Sequence, residues 1–166
     1  MENPIVISVS RKATPHQVTL HRTMAVLAAV FLLGGIFLSR GLMLPCFLMA
    51  VCYFWYGYAC KREYEYTLED DILRIERAGD LGRRLLHEIP FASVSLLCRP
   101  DAPEALPYKK GGSIQIPKAD YTSYRDDIPY YTMIAEEDGK QIKLLLDLND
   151  EAIWRIRRKN PGAVKV

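Results

Sequence analysis

The sequence predicts a membrane α-helical hairpin followed by an α+β domain, an antiparallel β-barrel or sandwich of six to seven strands with a C-terminal helix. Two observations lead to this fold class. The thirty-eight residues from Thr23 to Cys60 carry one formal charge, Arg40, so water is a poor solvent for them. From Glu63 onward, apolar and polar residues alternate in short runs, as they do in strands with one buried face.

The apolar stretch fits two membrane spans better than one. A helix needs about 20 residues to cross a hydrocarbon core about 30 Å thick. The charge and the glycine of Ser39–Arg40–Gly41 predict a short polar turn, which divides the stretch into helices at about residues 20–38 and 42–60. Residues 1–19 then form an N-terminal tail. The alternative, a cleavable signal peptide with Met24–Leu38 as its apolar region, is disfavoured because the apolar run resumes directly after the turn.

Basic residues at the helix ends predict the orientation of the hairpin. Arg11, Lys12 and Arg22 lie before or at the start of the first helix, Lys61 and Arg62 follow the second, and Arg40 alone marks the turn. Because cytoplasmic flanks carry the excess of Lys and Arg, we expect a multi-pass protein of the cell membrane with both termini in the cytoplasm. No ionisable residue lies in the middle of either predicted span, so the sequence does not indicate an ion pathway or a proton relay.

The predicted helices carry aromatic residues and small residues at distinct places. Aromatic rings favour the headgroup level of a bilayer, so we expect interfacial anchors at the end of the second helix, with an aromatic ligand patch as the alternative. The anchors are Tyr53, Trp55, Tyr56 and Tyr58. Gly34 and Gly35 permit close helix packing, either within the hairpin, with a second copy, or against another membrane protein.

Residues 61–166 are expected to form a cytosolic domain. Four strands joined by short turns are predicted first, as an antiparallel meander: Glu63–Leu68, Ile72–Arg77, Arg84–Ile89 and Ser93–Arg99. Prolines and glycines make residues 100–129 irregular, with a short strand predicted at Ser113–Ile116. Tyr130–Glu136 and Gln141–Asp147 then flank Asp138–Gly139, a dipeptide typical of two-residue hairpin turns.

An amphipathic helix is predicted at the end of the chain. Asn149 is a suitable N-cap, and Pro161–Gly162 ends the helix. Ile153, Trp154 and Ile156 are expected to pack against the strands. Such a helix would cover the open end of a curled sheet and bury its apolar face.

Charge and cysteine content argue against several classes of protein. Residues 61–166 hold 18 of the 22 Lys and Arg residues and 19 of the 20 Asp and Glu residues, so the domain is nearly neutral and is not expected to bind nucleic acid. The four cysteines include no C-x-x-C pair, which indicates reduced thiols rather than a disulfide framework or a zinc site.

No arrangement of residues in the sequence indicates catalysis. His87 lies beside Glu88 in a predicted strand and is expected to be a half-exposed structural residue. The acidic clusters Asp126–Asp127 and Glu136–Asp138 are expected to be solvated turns. Phosphate-loop, dinucleotide-binding, zinc-protease and nucleophile-elbow motifs are absent from the sequence. We therefore expect a protein that is not an enzyme and has no catalytic, cofactor-binding or metal-binding residues.

The order of elements resembles the bacterial pleckstrin-homology-like (PH-like) domains, which are bent strands capped by a C-terminal helix and often preceded by paired membrane helices. The chain is also similar to an uncharacterised bacterial family of small two-helix membrane proteins with such a cytosolic domain. The matching segments are Tyr64–Leu68, Ile72–Arg77, the Arg83–Arg84 pair, and Tyr131–Asp147 continuing into Asn149–Pro161. The resemblance implies no enzymatic activity or cofactor. Glu69–Asp70–Asp71 departs from it, because a glycine-containing turn is expected there.

The function expected from these features is binding. The chain is expected to be a membrane-anchored scaffold or protein-interaction subunit at the inner membrane face, with the lipid bilayer, an unidentified protein and a second copy of itself as candidate partners. The alternatives are a sensor of anionic lipid headgroups and an accessory subunit of a transport or envelope-assembly complex. Basic residues can attract an anionic leaflet or pair with local acids and the helix dipole. The candidate contacts are Arg83, Arg84, Arg155, Arg157, Arg158 and Lys159.

Overall fold

The computed structural model describes residues 3–60, 62–79 and 82–166. It divides the chain into two compact units. One is helical and comprises Lys12–Arg62, and the other combines the residues up to Arg11 with Glu63–Val166. The helical unit is therefore inserted between two parts of a single β-rich unit.

Two helices form the helical unit, α1 (Pro15–Phe37) and α2 (Met43–Cys60), joined by a 3-10 turn at Arg40–Leu42. Two helical segments, Pro15–Phe37 and Arg40–Tyr58, are long and apolar enough to cross a membrane, with mean hydropathies of 1.8 and 1.4 over their most apolar windows. Helix α1 begins five residues before the predicted start at residue 20. Thr14 explains the difference, because its hydroxyl caps the Gln17 N–H while the Gln17 side chain caps the Thr14 N–H.

The two adjacent glycines of α1 pack against the turn of their own hairpin. A Cβ atom on Gly34 would lie 2.9 Å from Leu42 Cδ1, and one on Gly35 would lie 2.6 Å from Met43 Sδ. No side chain larger than hydrogen fits at either position without movement of its neighbour. Both glycines therefore take part in packing within the hairpin, and packing against a second copy or another membrane protein stays a prediction.

Strand β1 (Ile5–Ser10) was not predicted from the sequence. Residues 1–19 were assigned to a tail, whereas the structure pairs Ile5–Ser10 antiparallel with residues 63–68 and begins α1 at Pro15. Ile5 and Val9 are buried in the core, which accounts for the position of β1 in the sheet. The β-rich unit therefore begins before the helices, not after them.

The remaining strands form two sheets that share one core. The strands after the helices are β2 (Glu63–Glu69), β3 (Ile72–Gly79), β4 (Gly82–Pro90), β5 (Val94–Cys98), β6 (Lys118–Asp120), β7 (Tyr131–Glu137), β8 (Lys140–Leu146) and β9 (Val164–Lys165). Sheet one has the order β1-β2-β3-β4 and sheet two the order β6-β8-β7-β5-β9. Helix α3 (Asp150–Lys159) lies between β8 and β9 in the chain, and its Asn149 cap accepts the Ala152 N–H.

Three details of the β prediction were wrong. The fourth strand of the predicted meander, β5, belongs to sheet two, because the 3-10 turn Phe91–Ser93 redirects the chain and buries the Phe91 ring. The irregular segment contains β6 at Lys118–Asp120 instead of a strand at Ser113–Ile116. Strands β6 and β9 pair in parallel with β8 and β5, and the two sheets do not close into a barrel.

Two hairpin turns show how the sequence encodes the register. Asp138 and Gly139 both have positive φ, 51° and 73°, as the predicted two-residue turn requires. Asp70 and Asp71 also have positive φ, 47° and 66°. The departure from the expected glycine-containing turn therefore leaves the turn geometry intact, because Asp tolerates the left-handed region better than most residues.

Helix α3 packs on the core through Ala152, Ile153 and Ile156, all of which are buried. Trp154 was expected to join this packing face. Instead, 59% of its surface is exposed, because the position beside Ile153 lies on the outer face of the helix.

Candidate interaction surfaces

The basic end of α3 is bound to its own domain. Arg155 donates to the carbonyl oxygens of Leu68 and Asn3 at 2.9 and 2.8 Å. Lys159 Nζ lies 2.9 Å from Asp71 Oδ2. These contacts attach α3 to the end of sheet one at which β2 turns into β3.

The other two basic residues of α3 also have neighbours in the same domain. Arg157 donates to the carbonyl oxygen of Val166, and the Arg158 guanidinium lies 5.1 Å from the centre of the Trp154 ring. The structural alternative for this cluster, local pairing, is therefore well supported. A cation that already has a local partner contributes less to binding an external anion.

The Arg83–Arg84 pair lies at the opposite end of sheet one. Arg83 Nη1 lies 2.7 Å from Glu65 Oε1. Arg84 is directly opposite Arg77 on β3, and both side chains are exposed. Two like charges in opposing positions repel each other, so this pair lowers stability unless an anion lies nearby.

The register of sheet one separates the two basic groups. Ser10, Glu63, Ala78 and Arg83 occupy successive strands in a single row across the sheet. This is the end of the sheet from which the chain leaves for the helical unit and to which it returns. The turn at Asp71 that binds α3 is seven residues away along β3, or roughly 20 Å. The two basic groups therefore do not form one continuous patch.

A groove follows the outer edge of β1. A cavity of about 480 Å³ is bounded by the second half of β1, by residues 123–129 and by the segment that leads into α3. A second cavity of about 540 Å³ is bounded by the first half of β1, the preceding Asn3 and Pro4, and the outer face of α3. Together they flank the strand from Asn3 to Ser10. We call this feature the β1 groove.

Hydrogen bonds and acidic side chains define the wall of the β1 groove opposite the strand. The buried Asp147 carboxylate accepts the Ser123 N–H at 2.8 Å, and Arg125 forms a two-point ion pair with Asp127 at 3.1 and 2.7 Å. Asp150 is an exposed acidic residue of the first turn of α3. The wall is therefore ordered and carries excess negative charge.

A third cluster, which was not predicted from the sequence, joins the two sheets. His87 of β4 lies with Nδ1 2.5 Å from Glu137 Oε2 of β7 and with Nε2 2.8 Å from the Tyr121 hydroxyl. The side chain of His87 is only 15% exposed, less than the half-exposed strand residue that was expected. Since a carboxylate can only accept, Nδ1 carries the proton and donates to Glu137.

The surroundings of this cluster favour a structural role. Burial raises the pKa of the Tyr121 phenol, so its hydroxyl keeps its proton. The Tyr66 hydroxyl donates to the Tyr121 carbonyl at 2.7 Å, and burial followed by the charge of Asp147 raises the pKa of Tyr66 above its ordinary value. The rings of Tyr64 and Tyr121 pack edge to face, with their centres 4.9 Å apart. Both nitrogens of His87 are thus occupied by protein groups.

The described residues contain no candidate metal cluster and no buried side-chain polar atom without a partner. Within residues 3–60, 62–79 and 82–166, no group of three or more His, Cys, Asp or Glu side chains could hold a metal ion. Burial raises the pKa of the Cys98 thiol, which disfavours the reactive thiolate. Every buried side-chain nitrogen or oxygen in this part of the chain has a hydrogen-bond partner.

The four predicted interfacial anchors divide into two pairs. Tyr53 stacks on His21 of α1 with ring centres 3.9 Å apart, and Tyr56 lies 6.5 Å from the same ring. Trp55 and Tyr58 are largely exposed on the outer surface of α2. Two of the rings therefore join the helices, while two remain available to the surroundings of the hairpin.

Two sheets with a C-terminal helix packed on their common core are consistent with a PH-like domain, here interrupted after its first strand by two apolar helices. The chain belongs to the family described as bacterial PH-like domain (DUF6106), which it matches over residues 7–166. The predicted membership of a bacterial PH-like family is confirmed. No curated protein and no solved structure matches the chain.

Proposed function

We propose that this protein is a non-catalytic PH-like interaction module, held at the inner face of the cell membrane by α1 and α2, with both termini in the cytoplasm. One observation carries the anchoring part. Strands β1 and β2, which immediately flank the two helices in sequence, pair along six residues of each strand. A bilayer cannot lie between two hydrogen-bonded strands, so the chain that leaves after β1 has to return to the same side.

This pairing also argues against removal of α1 as a signal peptide. Cleavage after α1 would separate β1 from the rest of the chain and remove Ile5 and Val9 from the core. An even number of spans satisfies the pairing, and the turn at Arg40–Leu42 divides the apolar segment into two. The arginine and lysine residues next to the outer helix ends favour the cytoplasmic side for the domain.

Cysteine labelling in intact cells tests the topology. In a variant without the four native cysteines, Arg40→Cys should react with a membrane-impermeant maleimide added outside the cell. Val166→Cys should react only after the cells are permeabilised. Labelling of Val166→Cys in intact cells, or protection of Arg40→Cys, would contradict the proposal.

The interaction part of the proposal is supported by the β1 groove, which offers an open strand edge and an exposed Trp154 beside it. Photo-crosslinking in native membranes tests it. A photoreactive phenylalanine analogue at Trp154 should give a recurrent product with another polypeptide. The same analogue at Leu106, which is similarly exposed but lies outside the groove, is the matched control. Identical product patterns at both positions would count against the groove as a partner surface.

A lipid-headgroup sensor is the second candidate, and the register of sheet one favours Arg77 and Arg84 over the α3 cluster. Both lie within two residues of the row from which the chain connects to the helices, and they face each other as an exposed like-charge pair. A basic residue near an anionic leaflet contributes about 1 kcal/mol, or roughly fivefold in partitioning. The accessory-subunit alternative has less support, because Gly34 and Gly35 already pack within the hairpin.

Liposome flotation tests the second candidate. A version in which residues 1–11 are joined to residues 62–166 by a short linker should float with phosphatidylserine vesicles, and Arg77→Ala with Arg84→Ala should weaken this. Lys140→Ala, at the start of β8, is the control substitution. Equal recovery on anionic and neutral vesicles would eliminate the lipid function.

A further inference from the structure

The strand edges of this protein differ in how they are protected. Exposed edges are templates for pairing with other chains, and proteins protect them with charges, proline, bulges or short strands. Strand β4 carries Arg83 and Arg84, ends at Pro90 and has a register shift against β3. The edges of sheet two, β6 and β9, are three and two residues long.

Strand β1 has none of these protections. Its six residues, IVISVS, include no charge and no proline, and its register with β2 is continuous from Ile5 to Ser10. Alternate residues of an edge strand direct their N–H and C=O groups away from the sheet. The Val6 side chain is also 53% exposed. This edge can therefore accept another strand.

We propose that the β1 groove binds an extended, basic segment of a partner protein, which adds to sheet one as a fifth strand next to β1. This inference rests on the interaction function proposed above and names the chemistry of the partner. The groove follows the strand from Asn3 to Ser10. At about 3.4 Å per residue, that length accommodates roughly six to eight extended residues. Backbone hydrogen bonds to β1 would supply affinity, and side-chain contacts with the opposite wall would supply specificity.

The charges along the groove favour a basic segment. Asp127, Asp147, Asp150 and Glu151 line it, against Arg125 and Arg155. Arg125 is paired with Asp127, and Arg155 directs two of its N–H groups to backbone carbonyls. Asp150 and Glu151 remain as exposed carboxylates on the first turn of α3. Lysine or arginine side chains on the added strand would complement them.

A second copy of the chain is a poorer occupant on the same grounds. Pairing of β1 with β1 would bring two acidic grooves together, and like charges across an interface disfavour association. The IVISVS sequence itself carries no basic side chain that could offset this repulsion.

Peptide selection on the full-length protein tests the inference. The chain is inserted into phosphatidylcholine nanodiscs, and a phage library of random ten-residue peptides is selected against it, with empty nanodiscs as background. Enriched peptides should combine Lys or Arg with apolar residues in alternation and should lack proline in the central positions. A synthetic peptide of the enriched sequence should slow hydrogen exchange in Ile5–Ser10, because its backbone bonds to that strand.

Charge variants then locate the site. Asp150→Lys combined with Glu151→Lys should weaken binding of the synthetic peptide about tenfold, because two exposed ion pairs are lost and replaced by repulsion. Glu136→Lys, an exposed acidic position on β7 outside the groove, should leave binding unchanged. Equal circular dichroism spectra of the variants establish that each still folds.

Three results would overturn the inference. One is the absence of enrichment over empty nanodiscs, and the second is binding that leaves β1 unprotected or ignores the double charge reversal. The third is protection of β1 without peptide in a dimer of the chain, which would assign the groove to a second copy. The cysteine-labelling experiment is independent of all three, so the anchoring proposal can stand or fail separately.

Discussion

Removing β1 should destabilise the β-rich unit severely, although β1 is separated from β2 by more than fifty residues. Ile5 and Val9 are buried in the core. Burying a side chain of this kind contributes about 1.5–3 kcal/mol, so the two together account for about 3–6 kcal/mol. Arg11, directly after the strand, also donates to the Asp120 carbonyl at 2.7 Å. Since small domains are stable by only about 5–15 kcal/mol, residues 62–166 alone should be marginally folded or unfolded.

Urea unfolding followed by circular dichroism measures this effect. The reference is residues 1–11 joined to residues 62–166 by a linker of about six Gly and Ser residues, which is short because Ser10 and Glu63 are direct partners across the sheet. With a denaturant slope of about 1.5 kcal/mol per molar urea, losing β1 should lower the midpoint by about 2–4 M.

The matched control keeps the chain length and removes only the strand. In this control Ile5–Ser10 is replaced by Gly and Ser residues within the linked version, and it should unfold like residues 62–166 alone. If residues 62–166 unfolded at the same urea concentration as the linked version, β1 would not belong to the domain. The same-side argument for the membrane topology would then lose its basis.

The pKa of Tyr66 is raised in the folded state, so above about pH 10 the unfolded chain releases the Tyr66 proton before the folded protein does. The contribution of Tyr66 to stability is therefore complete below about pH 10 and decreases above it. Above pH 10, Tyr66 should therefore lower the unfolding free energy by about 1.4 kcal/mol per pH unit. Urea unfolding at pH 9 to 11 should show a shallower decrease for Tyr66→Phe than for the unmodified protein. An equal decrease in both would contradict this prediction. Gly35→Leu should lower the unfolding free energy of the full chain in detergent by about 1–3 kcal/mol, because the larger side chain overpacks against Met43. Gly41→Ala should be tolerated, because the added Cβ would meet only Ser39 Oγ, at 3.6 Å. Equal thermal melting of the two variants would refute the packing role. Tyr121→Phe should lower the unfolding free energy of the linked domain by about 1–3 kcal/mol in urea unfolding, since His87 Nε2 loses its partner. An unchanged urea midpoint would show that this hydrogen bond does not contribute to stability.

Local signals in the sequence were sufficient to predict many individual elements. The break at Ser39–Arg40–Gly41 correctly divided the two apolar helices, and the Asp138–Gly139 dipeptide correctly marked the β7–β8 hairpin. Asn149 was correctly assigned as the cap of α3. Each of these signals acts within a few residues, because turn geometry, capping and periodicity depend on near neighbours. The order of such elements resembles that of PH-like domains, and the family match over residues 7–166 confirms this resemblance.

Pairings between distant segments could not be predicted in the same way. The alternation of IVISVS is a strand signal that the sequence analysis could have used, but nothing in it indicates that β2 is the partner. The meeting of His87, Glu137 and Tyr121 depends on the packing of the two sheets. The separation of Arg83 from the basic end of α3 depends on the register of sheet one, which a list of basic residues does not contain.

By itself, the sequence determined the apolar character of the two helices, the positions of the tight turns and the class of fold, because these depend on composition and on contacts between near neighbours. Only the tertiary structure decided that the helices are inserted within one β-rich unit, that the basic end of α3 is bound to its own domain, and that β1 presents an open edge beside a groove. These features arise where segments far apart in the chain bury apolar surface and satisfy hydrogen bonds together. Local sequence patterns do not indicate which distant segments will pair in this way.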